Sequence, residues 1–175
     1  GCGGGLISEP MARLGGSVTG IDASEKNIKV AKLHSKKSNL DIIYLNKSPE
    51  QMEEFEKFDV ILNLEIVEHV EDLDLYIQSC KNLIKKDGIM FTATLNRTFS
   101  SYIKAIIGAE YILRWLPIGT HDWNKFIKPE ELEKNLLDKD FKTIDIQGLE
   151  FNPFLRKWKK SKNLSVNYVI CSKKI

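Results

Sequence analysis

Residues 141–151 and 164–172 read FKTIDIQGLEF and LSVNYVICS, with the basic stretch RKWKKSKN (156–163) and no helical segment between them. Both are β-type runs, rich in branched and aromatic side chains. Two strands joined without a helix pair antiparallel, because a parallel pair needs a long crossover. The sequence therefore predicts an antiparallel pair at one sheet edge, at the end of the chain.

Upstream of that pair the chain alternates. Leu6–Leu14 has helical composition and stops at Gly15-Gly16. SVTGID (17–22) is a short strand, and Ser24 is placed to cap the helix EKNIKVAKLHSKK (25–37), with Ile28, Ala31 and Leu33 facing inward. DIIYLN (41–46) is a strand and PEQMEEFEK (49–57) an acidic, weakly helical surface segment. FDVILNL (58–64) is a nearly continuous apolar run, as in a strand covered on both faces. Glu71–Lys86 reads as an amphipathic helix with Leu75, Ile77, Leu83 and Ile84 on its apolar side, ending at Asp87-Gly88. GIMFTATLN (88–96) is the next strand, and KPEELEKNLLDKD (128–140) a helix with Pro in its first turn. This order predicts an α/β fold with a mostly parallel, Rossmann-like sheet. An antiparallel closing pair is typical of class I S-adenosylmethionine (SAM)-dependent methyltransferases, whereas nicotinamide-binding domains usually keep the parallel pattern.

A chain of 175 residues, 42% of them hydrophobic, has material for one domain with a core. Its 26 basic and 24 acidic residues leave a net charge of +2, which gives no electrostatic case for nucleic acid. Cys2, Cys80 and Cys171 are odd in number and lack CxxC spacing, which points to a reducing compartment without a disulfide framework. No signal peptide is evident, and no apolar run approaches the roughly 18–20 residues that span a bilayer. The chain begins GCGGG without an initiator Met. A glycine loop needs a strand to hang from, so a fragment lacking its first strand is the expectation.

GCGGG is a G-x-G-x-G run whose glycines allow positive φ and close approach of a ligand to the backbone. Asp22 ends the second β-type segment about 20 residues on, where an acidic side chain bonds ribose hydroxyls. NAD and SAM both carry a ribose, so Asp22 does not choose between them, and it is also placed to cap the following helix. NLEIVEHVED (63–72) sets Glu65, Glu68 and His69 past the end of a buried strand, the edge where open α/β sheets bind ligands. Their i, i+3, i+4 spacing would bring all three to one face of a helical turn. Two carboxylates and an imidazole suit Mg²⁺, Mn²⁺ or Zn²⁺, and a solvated helix start is the plainer alternative.

GCGGGLISEPMARLGGSVTGID (1–22), LEIVEHV (64–70), GAEYILRWLPIGTHDWNKFIKPEEL (108–132) and LSVNYVICSKK (164–174) together resemble the ubiquinone biosynthesis O-methyltransferase family. The first motif is shared by many SAM enzymes; the third is the specific one. The resemblance implies SAM as methyl donor and a polyprenylated phenol or catechol as acceptor. It implies that Gly1 and Gly3 hold the methionine part of SAM, that Asp22 bonds the ribose and that Leu64 contacts the cofactor. It also implies Glu65, Glu68 and His69 as ligands of a divalent ion, Mg²⁺ first, with Glu65 and His69 serving the chemistry. His69 is alternatively a general base without metal. The family carries an N-terminal helix and a first strand, with an Arg that helps bind SAM, ahead of GCGGG. A chain made as written is therefore expected to be poorly stable and weakly active.

Residues 98–127 occupy the place where such enzymes insert a substrate-recognition segment. The apolar run at 102–118, flanked by Lys104, Arg114 and Lys125 and carrying Tyr111 and Trp115 at i, i+4, is expected to be a lid that also rests on a membrane. A core helix with a Glu110–Arg114 pair is the alternative. His121 and Asp122 would line the pocket mouth or stabilise the loop. Within this reading the chain is a single methyltransferase domain, cytoplasmic and peripheral to a bacterial inner membrane or its mitochondrial equivalent. Other ubiquinone-biosynthesis enzymes are candidate partners. The alternatives are a methyltransferase for a soluble molecule or a ring carbon, a non-catalytic remnant of the fold, and, disfavoured by the closing pair, an NAD enzyme.

Overall fold

The structure is a computed structural model and describes residues 1–52, 55–103, 122–152 and 157–175. Most of the expected lid, with the 102–118 contact beyond Ile103 and with His121, lies outside the described residues. The chain forms two compact units, Gly1–Phe55 and Glu56–Ile175.

In the first unit, helix α1 (Ser8–Arg13) precedes strand β1 (Val18–Ile21), and helix α2 (Glu25–Lys37) precedes β2 (Ile42–Leu45). β1 and β2 pair in parallel, Val18 opposite Ile42 and Ile21 opposite Leu45. Helix α2 starts as expected, with the Ser24 hydroxyl accepting from the Asn27 N–H at 3.4 Å. Ile28 and Ala31 pack with Tyr44 into a small core, but Leu33 is 52% exposed. Three and four residues separate the buried positions Ile28, Ala31 and Ser35, and Leu33 falls off that stripe.

The second unit holds β3 (Phe58–Leu64), α3 (Leu73–Leu83), β4 (Ile84–Leu95), the short helix α4 (Phe99–Ser101), α5 (Pro129–Asp138), β5 (Phe141–Asn152), β6 (Lys157–Ser161) and β7 (Asn167–Lys174). Its sheet runs β3-β4-β7-β5-β6. β3 and β4 are parallel, as the alternating pattern requires, while β7 is antiparallel to both β4 and β5. The mixed sheet has more antiparallel pairing than expected, because the basic stretch read as a turn contains β6, which pairs antiparallel with β5. β6 is the sheet edge in place of the expected pair. Its sequence KWKKS is poor in strand formers, and lysines on an edge discourage pairing with other chains.

Helix α3 ends at Leu83, and Ile84 already belongs to β4, so Lys85 and Lys86 are strand residues where the sequence predicts helix. Asp87 takes φ +63°, and the β3–β4 register shifts between Phe58 and Val60. Ile77, Leu83 and Ile84 are buried, whereas Leu75 is 53% exposed, out of phase with Tyr76, Ile77 and Cys80 on the packed side. The core joins these residues to Met90 of β4, Leu132 and Leu136 of α5, Phe141 of β5 and Tyr168 and Ile170 of β7. The described ends of the 98–127 segment are tied together: the Trp123 indole N–H donates to the Thr98 carbonyl at 3.1 Å, and Tyr102 meets Trp123 edge to face at 6.3 Å. Asp122 caps the turn at Trp123–Lys125, accepting from the Asn124 N–H at 3.0 Å.

Phe141 is fully buried, so Phe141→Ala is expected to cost about 3–5 kcal/mol by removing apolar contact and opening a cavity. Leu75→Ala is expected to stay within about 0.5 kcal/mol, as at an exposed site. Denaturant unfolding of both variants checks this; equal losses would contradict the facing of α3.

Candidate functional site

In the first unit the site builds on the glycine loop. Cys2 N donates to the Ile21 carbonyl at 2.8 Å and Gly1 N to the same oxygen at 2.9 Å, which holds the loop to the end of β1. Gly3 sits at φ +54° and Gly5 at φ +86°, in the left-handed region where only glycine is unstrained. A Cβ on Gly5 would lie 2.4 Å from the Tyr44 hydroxyl, so this glycine also makes room for a buried ring.

Asp22 connects the loop to α2. Its Oδ2 accepts from the Gly3 N–H at 2.9 Å, and its Oδ1 accepts from the Ser24 N–H at 2.9 Å and the Asn27 amide at 3.1 Å. Burial opposes ionisation of this carboxyl, but the Ser24, Gly3 and Asn27 donors outweigh it and hold the group below the usual carboxylate range. Asp22 thus braces the turn into α2, whose cap is Ser24, and an ionised carboxylate with about four acceptor sites keeps one on Oδ2 for a further donor such as a ribose hydroxyl. Asn27 was not visible as a site residue in the sequence. An open concavity of about 440 Å³ beside the loop is lined by Gly4, Gly5, Glu9, Arg13, His34 and Lys37 among others, and reaches neither Gly3 nor Asp22.

In the second unit the expected acidic cluster follows β3. Leu64 ends that strand opposite Ala93, and the Glu65 N–H donates to the Ala93 carbonyl at 2.9 Å, pinning the start of the loop to β4. Glu65 takes φ +53°, which breaks helical phase. Ile66–His69 then forms a turn closed by His69 N–H to the Ile66 carbonyl at 2.9 Å. The expected helical face is therefore absent. Glu68 is 3% exposed, whereas His69 is open to solvent. Among the described residues no group of three or more His, Cys, Asp or Glu side chains could hold a metal ion. Glu65, Glu68 and His69 thus do not share one helical face in this structure, and the Glu65 and Glu68 carboxyls interact with each other.

Glu68 Oε2 accepts from the Thr94 hydroxyl at 2.7 Å, while Oε1 is buried with no hydrogen-bond donor on it. Burial, the Glu68 charge and a hydrogen bond with Glu68 push the Glu65 carboxyl up to about 8. Much of the Glu65 surface is open to water, which weakens the first of these causes, so the like charge of Glu68 fixes the direction. The two carboxyls bond to each other only while one of them holds a proton. Tyr168, opposite Thr94 on β7, donates to the Ile127 carbonyl at 2.9 Å, and burial first, then the Glu68 charge, keep it un-ionised. Thr94 and Tyr168 were missed in the sequence. The signal was in TATLN (92–96), where Thr92, Thr94 and Asn96 put polar side chains on one side of a buried strand.

A methyltransferase-domain family matches residues 1–92. A ubiquinone biosynthesis O-methyltransferase of Pelagibacter ubique is 57% identical over 169 residues, 97% of this chain and 70% of that protein. One from Bartonella bacilliformis is 53% identical over 176 residues, 100% of this chain and 71% of that protein. The chain belongs to the ubiquinone biosynthesis O-methyltransferase family. Solved structures of a SAM-dependent methyltransferase from Methanosarcina mazei (TM-score 0.74, 19% identity, 100% of this chain and 90% of that one) and of magnesium protoporphyrin IX methyltransferase from Synechocystis with bound SAH (TM-score 0.70, 19% identity, 100% and 71%) share its fold. The class I methyltransferase fold expected from the closing strands is thus borne out for this family member.

A carboxyl that titrates near 8 when folded and near 4.5 when unfolded keeps a proton that the unfolded chain has lost, so stability falls as pH rises between these values. Glu65→Gln, which mimics the protonated acid, is expected to flatten the fall in melting temperature from about pH 5 to about pH 8. An unchanged slope would show that Glu65 is not the group responsible.

Proposed function

We propose that this chain transfers the methyl group of SAM to a hydroxyl oxygen of a polyprenylated phenol or catechol, with the Glu65–Glu68 pair serving the acceptor oxygen. Family membership makes the chain a SAM-dependent O-methyltransferase of ubiquinone biosynthesis, and identity of 57% across nearly its whole length carries that conclusion. The acceptor chemistry rests on Glu68 Oε1.

The methyl carbon on sulfonium is already electrophilic. Transfer breaks its bond to sulfur, forms one to oxygen and leaves a neutral thioether, so the enzyme must align the partners and remove the hydroxyl proton. A phenol with pKa about 10 is protonated at neutral pH. A buried carboxylate is a stronger base than one in water, and Glu68 becomes such a base once the proton that it shares with Glu65 has left. Asp22, with one acceptor site left, is the ribose-binding candidate, and Gly1, Gly3 and Leu64 remain proposed cofactor contacts.

The same pair fits a divalent ion. Mg²⁺ takes hard oxygens, often one or two carboxylates completed by water and substrate, and a cation would satisfy Oε1 and relieve the repulsion between Glu65 and Glu68. Bound there, it would lower the pKa of a catechol hydroxyl. His69, exposed on the turn, remains the third proposed ligand.

Methyl transfer from labelled SAM to a short-tailed polyprenyl catechol is expected to give an O-methyl product, with a large loss on Glu68→Gln. Loss of transfer with EDTA supports the ion; transfer that survives both EDTA and Glu68→Gln would move the base role to His69.

An acceptor with an isoprenoid tail would be met at a membrane surface. The β5–β6 hairpin supports such a contact. Phe151 and Trp158 pair across it at 5.2 Å and are 39% and 62% exposed, with Lys160 on the same face and the Lys159–Glu150 ion pair at 3.1 Å on the other. An aromatic pair beside Lys160 suits anionic headgroups. Trp158→Glu is expected to weaken sedimentation with vesicles containing phosphatidylglycerol; unchanged sedimentation would return the membrane role to 102–118 alone.

A further inference from the structure

Helix α2 supports the glycine loop with one stripe of side chains. Asn27, Val30, Ala31 and His34 stand at i, i+3, i+4 and i+7, the spacing of one helical face. The Asn27 amide donates to Asp22 Oδ1 at 3.1 Å, and the other oxygen of that carboxylate accepts from the Gly3 N–H. Val30 lies against Gly4, where an added Cβ would come within 3.3 Å of its Cγ1. Ala31 lies against Gly5, where an added Cβ would stand 3.5 Å from its own. His34 completes the stripe: its Nδ1 donates to the Gly4 carbonyl at 3.3 Å, from 30 residues away in the sequence. A carbonyl only accepts, so the proton of this bond is on Nδ1.

The Gly4 carbonyl belongs to the peptide that joins Gly4 to Gly5. The N–H of the same peptide donates to the Cys2 carbonyl at 3.0 Å. Both polar groups of one peptide plane are thus held, one from within the loop and one from α2. Between two glycines such holding has a purpose. With no Cβ on either side, a Gly–Gly peptide turns over at little steric cost, and turning it reverses the directions of its N–H and C=O. His34 is exposed and has no part in the small core of Ile28, Ala31 and Tyr44, so its contact with the loop is not a by-product of core packing.

We infer that His34 is a positioning residue for the cofactor: its imidazole locks the Gly4–Gly5 peptide, so that the glycine loop has its SAM-binding shape before SAM arrives. The inference rests on the reading of Gly1, Gly3 and Asp22 as cofactor contacts and adds the group that holds their loop. His34 acts through the backbone and touches neither SAM nor the acceptor. A glycine-rich loop that is ordered only on binding loses affinity to that ordering, whereas a loop ordered in advance does not. Removing the bond therefore weakens SAM binding without slowing methyl transfer once SAM is bound.

The test compares His34→Leu, His34→Asn, His34→Ala and Asp22→Asn in the purified protein. It reads SAM affinity by calorimetry, KM for SAM and for a short-tailed polyprenyl catechol, kcat and melting temperature. His34→Leu is expected to weaken SAM binding about three- to tenfold, the range for losing one neutral hydrogen bond. KM for SAM should rise with it, while kcat at saturating SAM and KM for the catechol stay within about twofold. The Asn amide places an N–H donor where the imidazole has Nδ1, so His34→Asn should keep SAM affinity within about twofold of the parent. A role confined to the end of the helix would instead lower the melting temperature and leave SAM affinity alone. Parental SAM affinity in His34→Leu would overturn the inference, as would equal losses in His34→Leu and His34→Asn. Should His34→Leu fail to fold, His34→Ala, the best helix former, takes its place under the same two criteria. Asp22→Asn with parental SAM affinity would remove the reading of the loop as the SAM site, whereas affinity sensitive to Asp22 and indifferent to His34 would remove only the role of His34.

Discussion

Strand β4 is hydrogen-bonded along both edges, parallel to β3 and antiparallel to β7, and everything placed at its C-terminal end inherits that rigidity. The first half of the strand brings apolar residues to the core, Ile84 and Met90 with no exposed surface. The second half changes character: Thr92, Thr94 and Asn96 lie on one side and are buried. Polar side chains on a buried strand cost free energy unless something bonds them. The fold meets part of that demand by laying the loop after β3 across the strand end, so that the Glu65 N–H reaches Ala93 and Glu68 reaches Thr94.

The same loop shows why spacing alone misleads. Three residues at i, i+3, i+4 share a face only if the backbone between them is helical. Here Glu65 takes positive φ, the next residues form a turn, and the triad divides into a buried Glu68, a neighbouring Glu65 and an outward His69. Two like charges brought together in partial burial then have three ways to coexist: one keeps its proton, a cation joins them, or a substrate proton is taken up. The raised Glu65 titration is the first of these in the free protein.

Much of the fold was legible because the relevant signals are periodic. β3 begins and ends where FDVILNL does, α5 starts at its Pro, and the Ser24 cap is in place. The glycine loop and Asp22 were legible as a pair for a physical reason: the carboxylate that ends β1 is bonded to the loop's own N–H at Gly3. What the sequence concealed is of two kinds. β6 is a strand because β5 supplies its partners, against the preference of its lysines, and no local pattern encodes that. Leu33 and Leu75 look like core residues by type, but the buried stripes of their helices run through other positions. Thr94 was concealed differently, since a threonine in a strand is ordinary and becomes informative only when Glu68 is found against it.

Asn63 and Glu68 are two buried polar residues close in sequence that are bonded differently. Asn63 shows the scaffold case: its Oδ1 accepts from the Tyr76 hydroxyl at 3.0 Å and its amide meets Cys80 Sγ at 3.8 Å, a buried polar residue that links β3 to α3 and has no acceptor turned elsewhere. Glu68, of similar burial and only five residues on, has one oxygen bonded and one without a donor. If both groups served stability alone, the carboxylate would be the poorer choice, because an ion with an unmet acceptor costs more to bury than an amide. A reaction that must take a proton from a neutral hydroxyl needs such an acceptor, dry and fixed in direction. The end of β4 fixes the carboxylate in place, because the loop that carries it is held to the strand at Ala93 and at Thr94.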